Sequence, residues 1–297
     1  MSENREFRSG YVALIGRPNV GKSTLLNSLL GEKLSIVTPK AQTTRNRITG
    51  ILTGNNYQII FLDTPGIFDP AYRLQQHMVS NALRAASESD LLVLMAEAFT
   101  TPENFEKEVY NRIKELKKNC ILVINKVDLI NKDKLLPLIE AYYKKFGFED
   151  IIPISALKGD GVKELLDLII KALPVGGMFY PEEQISDLPE RFFIAEIIRE
   201  KLLMYTQQEI PYSTTVQVEE VKERKNGRLY IRANIYVERP SQKGIVIGKN
   251  GKMLKKIGQF SRIEIEKWME APVYLDLWVG VKQDWRKKER ELNELGY

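Results

Sequence analysis

Gly16-Arg17-Pro18-Asn19-Val20-Gly21-Lys22-Ser23 is the stretch on which the fold of this chain turns. It fits the spacing G-x-x-x-x-G-K-[ST]. It follows an apolar run at Tyr11–Ile15 and opens a helical pattern at Lys22–Leu30 that Gly31 closes, the strand–loop–helix setting in which that spacing has meaning. The glycines let successive backbone N–H groups turn inward around phosphate oxygens, and the helix N-terminus adds positive potential. Lys22 is expected to reach the β- and γ-phosphates. Ser23 is expected to hold Mg²⁺, with Thr24 next to it in the helix.

Outward from this loop, about 40 residues on, Asp63-Thr64-Pro65-Gly66 ends another apolar run, Tyr57–Leu62. A carboxylate there can hold Mg²⁺ through its water shell, and the Gly66 N–H can contact a γ-phosphate. Asn125-Lys126-Val127-Asp128 ends the run Cys120–Ile124. The Asp128 carboxylate can accept from N1–H and the exocyclic amine of guanine, a pair that adenine does not offer, and such a site rejects the wrong base strongly because its polar groups would be left unpaired. Asn125 is expected on the other polar edge of the base and the Lys126 stem over its face. Ser155-Ala156-Leu157 closes the last run, Ile151–Ile154, where a backbone N–H can read guanine O6.

In this order the four motifs resemble the signature of the Ras-like GTPase superfamily, over residues 11–173. The wording Gly16–Asn27 (GRPNVGKSTLLN) and Gln42-Thr43-Thr44-Arg45 are similar to the TrmE–Era–EngA group. That resemblance implies GTP and GDP as ligands, hydrolysis with Lys22, Thr44, Gly66 and Asn19 as catalytic residues, and Ser23, Thr44 and Asp63 around Mg²⁺. Thr43 is the other candidate for the switch threonine, and spacing does not decide between them. The resemblance also implies a K⁺ held against the phosphates with the help of Asn19. Ile67 stands where Ras-like proteins carry a water-orienting Gln, and an aliphatic side chain cannot do that work.

Residues 1–173 alternate apolar runs with helical patterns (Lys22–Leu30, Arg73–Ser87, Pro102–Lys118, Lys132–Phe146, Val162–Leu173), which predicts an α/β domain with a mostly parallel sheet. Residues 174–189, with three prolines and two glycines, are expected to be a linker. Residues 190–297 change texture. A helix at Arg191–Met204 precedes two alternating strands, with a hairpin-type turn at Asn226-Gly227. Gly248-Lys249-Asn250-Gly251 then precedes a helix through Trp268, a strand Val273–Val279 and a charged helix Gln283–Leu295. From Arg239 to Arg262 there are seven basic residues and no acidic one. G-x-x-G within such a stretch is the loop by which KH domains clamp about four unpaired nucleotides. Ile247, Gly248, Lys249, Asn250, Gly251, Lys252 and Lys255 are the expected RNA contacts.

The element order resembles a smaller α+β type II KH domain, and a GTPase domain followed by such a domain resembles the Era family of ribosome-assembly GTPases. That resemblance implies binding of the 3′ end of 16S rRNA, a role in 16S processing and biogenesis of the 30S subunit, and a monomer in the cytoplasm that can associate peripherally with the inner membrane. The alternative reading is a membrane-associated signalling GTPase linked to cell-cycle control. A tRNA-modifying GTPase is disfavoured because no C-terminal cysteine site follows the first domain, and a double GTPase because only one P-loop occurs.

Composition narrows the field further. Across 297 residues, 43% are hydrophobic and 28% charged, values of a globular chain rather than a disordered one. One cysteine, Cys120, and one histidine, His77, exclude a disulfide framework, a cysteine-rich zinc site and a histidine-based triad. The longest apolar runs fall far short of the ~20 residues of a spanning helix. Met1–Gly10 has no apolar h-region and is not expected to be a signal peptide. Net charge is +5, a weak pointer to an anionic partner. His77 is read as a surface or packing residue, Cys120 as core, and Trp268, Trp278 and Trp285 as core ahead of base-stacking. The charged residues 282–290 are read as a solvated helix face ahead of an RNA-facing one.

Overall fold

Near-continuous apolar runs such as Leu91–Ala96 require burial on both faces. The computed structural model, which describes residues 6–224 and 227–297, places them inside a six-stranded sheet of order β2-β3-β1-β4-β5-β6. The chain runs β1 (Arg8–Gly16), α1 (Lys22–Leu30), β2 (Ile48–Gly54), β3 (Tyr57–Asp63), α2 (Arg73–Glu88) and β4 (Leu91–Glu97). After a broken helix come β5 (Cys120–Asn125), β6 (Ile151–Pro153) and α6 (Val162–Ala172). All pairings are parallel except β2 with β3. Only two residues, Asn55 and Asn56, join those strands, and so short a connection permits only an antiparallel pair. The parallel register brings the C-terminal ends of β1, β3, β5 and β6 to one edge, where an α/β sheet gathers its ligand loops.

Two helices differ from expectation. The pattern Pro102–Lys118 is not one helix: α3 (Pro102–Phe105) passes through a π turn (Glu106–Tyr110) into α4 (Asn111–Ile113) and a 3₁₀ turn (Lys114–Leu116). The wider turn keeps Phe105, Val109 and Ile113, spaced by four, on one buried line facing the sheet. The pattern from Lys132 starts as a 3₁₀ turn (Lys132–Lys134) before α5 (Leu135–Phe146), whose Tyr142 and Phe146 meet Phe105 edge-on.

By contacts the chain divides into two units. Unit 1 takes in the described residues up to Val37, Thr44–Pro70 and Gln75–Asp187; unit 2 comprises Thr38–Thr43, Ala71–Leu74 and Leu188–Tyr297. Most of the segment expected as a linker is laid along unit 1 by hydrogen bonds. Ser9 N–H donates to Pro174 O (3.1 Å), Gln58 Oε1 accepts from the N–H groups of Phe179 and Tyr180 (2.6 and 2.9 Å), and Ile51 N–H donates to Ile185 O (2.9 Å).

Unit 2 is built from α7 (Glu190–Tyr205), α8 (Ile210–Ser213), β7 (Thr215–Glu223), β8 (Leu229–Val237), α9 (Pro240–Ile247), α10 (Lys252–Met269), β9 (Val273–Val281) and α11 (Glu289–Glu294). β8 pairs antiparallel with β7 and parallel with β9, which makes β9 an edge strand. Ile231, Ala233, Ile235 and Val237 alternate into a core shared with α7, α9 and α10. Of the expected Asn226-Gly227 turn, Asn226 lies outside the described residues. The expected helix Gln283–Leu295 is a 3₁₀ turn (Trp285–Lys287) and the short α11, separated by an extended Lys288. The break drops Trp285 into full burial, where its indole N–H donates to Ser213 O (3.0 Å). Among the described residues no helix is long and apolar enough to cross a membrane.

Candidate functional site

β1 delivers the P-loop at its end, and the loop folds its lysine inward. Lys22 is buried, with Nζ donating to Gly16 O (3.2 Å) and Arg17 O (2.9 Å). Asn19 and Gly21 take left-handed backbone conformations (φ 63° and 105°), which turns the loop. At the end of β3, Asp63 Oδ2 accepts from Ser23 Oγ (2.6 Å) and Ser35 Oγ (3.0 Å), and Thr44 Oγ1 lies 2.9 Å from Ser23 Oγ. The three residues expected around Mg²⁺ are thus brought together. Thr43 is turned elsewhere: its hydroxyl donates to Lys40 O (2.7 Å) and lies 2.7 Å from Thr38 Oγ1. Spacing left the two threonines open, and the geometry favours Thr44.

This cluster is electrostatically incomplete without ligands. Burial pushes the Lys22 ammonium down to about 8, only partly opposed by the charge of Asp63. Burial likewise raises the Asp63 carboxyl above the usual range, against bonds from Ser23, Ser35 and the Thr64 N–H and the charge of Lys22. Asp63 Oδ1 is buried with no protein partner. An orphaned carboxylate oxygen beside two hydroxyls is the all-oxygen donor set that a hard divalent cation takes, so the residues fit Mg²⁺. When bound, that ion would neutralise charge on the β- and γ-phosphate oxygens.

Thr64 and Pro65 lead to Gly66, and Thr64 Oγ1 ties that turn to Leu14 O (2.7 Å). A Cβ on Gly66 would stand 2.3 Å from Pro18 N, so only glycine lets this turn lie against the P-loop. Ile67 follows with its side chain buried in the sheet core and its N–H donating to Gly16 O (2.9 Å). The residue in the water-orienting position is thus taken up by the core.

On the base side, Asn125 spends its amide on the protein. Nδ2 donates to Val20 O (2.8 Å) and Oδ1 accepts from Ala156 N–H (3.0 Å), which ties the P-loop to the Ser155–Leu157 loop. One Nδ2–H and one Oδ1 lone pair remain for the expected base contact, whereas the Ala156 N–H, one of the backbone groups of the Ser155–Leu157 loop, is already engaged. Lys126 sits at φ 67° with Nζ paired to Glu97, and Asp128 lies 3.9 Å from Lys158 Nζ. Ser155 is buried, whereas the Leu157 side chain is 82% exposed.

Three contributors were not singled out from the sequence: Ser35, Asn27 and Glu97. Asn27 Oδ1 accepts from Leu34 and Ser35 N–H (3.0 and 2.9 Å) and Nδ2 donates to Ser35 O (2.7 Å), holding Ser35 against Asp63. The available signal was a polar residue set among leucines in the first helix.

In unit 2, α9 ends at Gly248 (φ 73°, ψ 171°), a 3₁₀ turn spans Lys249–Gly251, and α10 starts at Lys252. A Cβ on Gly248 would meet Met253 Cβ at 2.7 Å. Lys249, Asn250, Lys252 and Lys255 are exposed around this turn and Ile247 is half-buried. Beside it runs a groove of about 660 Å³, with Leu254, Lys255, Gly258 and Arg262 of α10 on one side and Leu275 and Leu277 of β9 on the other. Apolar walls with basic residues suit unpaired bases on a phosphate chain.

Comparison with known proteins agrees with both halves. Residues 11–126 match the family described as 50S ribosome-binding GTPase, and residues 209–286 match the KH domain family. The chain is 52% identical to GTPase Era of Geobacter metallireducens over 298 aligned positions, covering 100% of both chains. The chain belongs to the Era family of GTPases. GTPase Era of Lactobacillus helveticus is 49% identical over 99% of this chain and 98% of its own. Two solved Era structures superpose at TM-score 0.94 and 45% identity, each covering 98% of this chain and 99% of the other. One is an Aquifex aeolicus Era variant bound to GDP·AlF₄⁻, and the other holds MgGDPNP and nucleotides 1506–1542 of 16S ribosomal RNA. This Era-family chain is a GTPase that uses GTP, GDP and Mg²⁺, and its α/β GTPase domain is followed by a smaller KH domain.

Proposed function

We propose that this chain is a GTP-hydrolysing switch that binds the 3′ end of 16S rRNA and acts in 16S processing and 30S subunit biogenesis, as a monomer in the cytoplasm. The observation that carries the RNA half is the Gly248–Gly251 turn, rimmed by exposed Lys249, Lys252 and Lys255 at the mouth of the groove. A relative at 45% identity holds 16S nucleotides 1506–1542, which supports this RNA as the ligand here. We assign Lys22, Ser23, Thr24 and the loop Gly16–Gly21 to the phosphates, Ser23, Thr44 and Asp63 to Mg²⁺, and Asp128 to guanine. The domain boundaries proposed with this reading are 1–173, 174–189 and 190–297.

Crosslinking the protein to RNA in cells and sequencing the bound fragments tests the proposal. Recovery of the 16S 3′ end is expected, and its absence among enriched fragments overturns the reading. The membrane-associated signalling alternative is separated by sedimentation in GTP: retention on liposomes rather than small-subunit particles would favour it. If Asn19 helps hold a K⁺ at the phosphates, hydrolysis runs faster in K⁺ than in Na⁺ and Asn19→Ala erases the difference. Equal rates in the two salts remove the ion from the mechanism.

A further inference from the structure

One face of the sheet of unit 2 packs on α7, α9 and α10. On the other, the C-terminal segment reaches the β7 side, where Gln217 Nε2 donates to Glu294 O (3.3 Å) and Thr215 Oγ1 lies 2.9 Å from the Tyr297 hydroxyl, while Tyr274 and Trp278 of β9 are exposed. Ile231, Ala233, Ile235, Val273 and Val279 point into the core, and the alternate residues of β8 and β9 point the other way. The register sets Tyr230 opposite Tyr274, Arg232 opposite Asp276 and Asn234 opposite Trp278. Tyr274 is 48% exposed and Trp278 is 56% exposed, so Trp278 is not the core residue the sequence reading expected.

Cations stand over the rings of this face. Tyr230 and Tyr274 are stacked, 5.9 Å between centroids and 17° between planes, with the Arg224 guanidinium 4.5 Å and 5.3 Å from them. Lys243 Nζ, from α9, lies 5.1 Å from the Trp278 ring; Lys282 Nζ lies 5.2 Å from Tyr236 but is paired with Glu291 (2.9 Å) and Glu294 (3.2 Å) of α11. The carboxylates here are held by their neighbours. Asp276 accepts from the Tyr230 hydroxyl (3.0 Å) and Arg232 (3.4 Å), Glu220 pairs with Lys222, and Glu219 accepts from the Asn234 amide.

We infer that the exposed β9 side of this face is a second RNA-contacting surface, taking unpaired bases on Trp278 and Tyr274 and backbone phosphates at Arg224 and Lys243. The inference rests on the RNA-binding reading of the groove and extends it. Exposed aromatic rings interleaved with cations are the composition of a single-strand stacking platform, because every base has a π-face and every nucleotide a phosphate. A protein partner fits less well, since interface cores are depleted of charge whereas these rings are separated by Arg232 and Asp276. The surface is also continuous with the groove. β9 is the edge strand: Leu275 and Leu277 line the groove while Tyr274 and Trp278 stand on its opposite face. Lys243 lies on the helix that ends at Gly248. A strand leaving the groove over the β9 edge meets Lys243 and Trp278 first. Tyr274 and Trp278 are four residues apart, about 13 Å along the strand, so they serve different bases.

The test measures binding of the full chain to two RNAs: a four-nucleotide single strand from the 16S 3′ end, the length a KH clamp takes, and 16S nucleotides 1506–1542. Trp278→Ala and Tyr274→Ala should each weaken the long RNA about tenfold while leaving the short one unchanged, given what one base–aromatic stack contributes. Lys249→Asp with Asn250→Asp should weaken both RNAs. If the wild-type chain binds neither RNA, the groove reading fails and this inference fails with it. If the groove variant behaves as stated but Trp278→Ala and Tyr274→Ala bind the long RNA like wild type, this inference alone is overturned. Equal loss of both RNAs in Trp278→Ala also overturns it, as does unchanged RNA affinity with loss of a protein partner. Independently of any variant, photo-crosslinking of 4-thiouridine-labelled long RNA to wild-type protein should label the peptide spanning Tyr274–Trp278, and its absence among the labelled peptides counts against the surface.

Discussion

At Lys22 the fold keeps an ammonium group where solvent cannot reach it, and burial pulls its pKa down to about 8. Phosphate oxygens favour the charged form, so the nucleotide-bound lysine stays protonated well above that value. In the free protein above pH 8 the amine is mostly neutral, and nucleotide binding has to restore the proton. Binding at pH 8.5 is therefore expected to take up about three-quarters of a proton per site through Lys22, and at pH 7 about a tenth. Calorimetry in buffers of different ionisation enthalpy reads this directly, and zero uptake at pH 8.5 would show that Lys22 is charged in the free site. Asp128 invites a separate test. Replacing its carboxylate by an amide in Asp128→Asn turns an acceptor pair into a donor and an acceptor, which suits xanthine better than guanine. Competition binding with GTP, ATP and XTP should show preference moving to XTP by roughly 10²-fold or more, since a mispaired polar group in a buried site is costly. Unchanged GTP preference would remove Asp128 from base recognition. Thr44, Ser35 and Asn27 make a related point: spacing proposed a threonine, but only contact with Ser23 and Asp63 showed which hydroxyls converge.

Among the elements, the C-terminal segment shows how a single side chain overrides a local pattern. Residues 283–295 have the charge rhythm of a solvated helix, yet the chain breaks at Lys288 so that Trp285 is fully buried, bonds Ser213 O and stacks on Tyr297 at 5.6 Å. Trp285→Ala removes that volume and one buried hydrogen bond. A loss of about 3–5 kcal/mol is expected, which is large against the stability of a domain this size. Hydrogen exchange of the β7–β9 amides should accelerate accordingly while the six-stranded sheet exchanges as before. Protection unchanged in both sheets would mean that this tryptophan does not anchor the segment. The broken helix Pro102–Leu116 has the same logic. Its polar and apolar residues read as one helix, and the π turn arises only because Phe105, Val109 and Ile113 must all face one sheet.

For the molecule as a whole, the nucleotide motifs lie before Pro174 and the G-x-x-G turn after it, which predicts separable losses. Lys249→Asp with Asn250→Asp puts two carboxylates where a phosphate chain should lie, on side chains that are exposed in the fold. RNA binding should fall by 10²-fold or more, with a shallower salt dependence of what remains, while basal GTP hydrolysis stays within about twofold of wild type. Filter binding and phosphate release measure the two. Wild-type RNA affinity in this variant would remove the Gly248–Gly251 turn from RNA binding, and loss of basal hydrolysis in a folded variant would show the two activities to be inseparable. The sequence by itself determined the mostly parallel sheet and the phosphate loop, and it singled out the Ser23 and Asp63 expected at Mg²⁺, the Asp128 expected at guanine and the Gly248–Gly251 turn expected to clamp RNA. Those features depend on residues at short, fixed spacing, where a glycine's backbone freedom or the end of an apolar strand carries its own signal. Only the tertiary structure decided that Thr44 rather than Thr43 meets Ser23, that Asn125 ties two loops together, that Ile67 is buried and that Trp278 is exposed. Each of those outcomes is a meeting, or a failed meeting, between side chains far apart in the chain, and packing rather than spacing decides which of them touch.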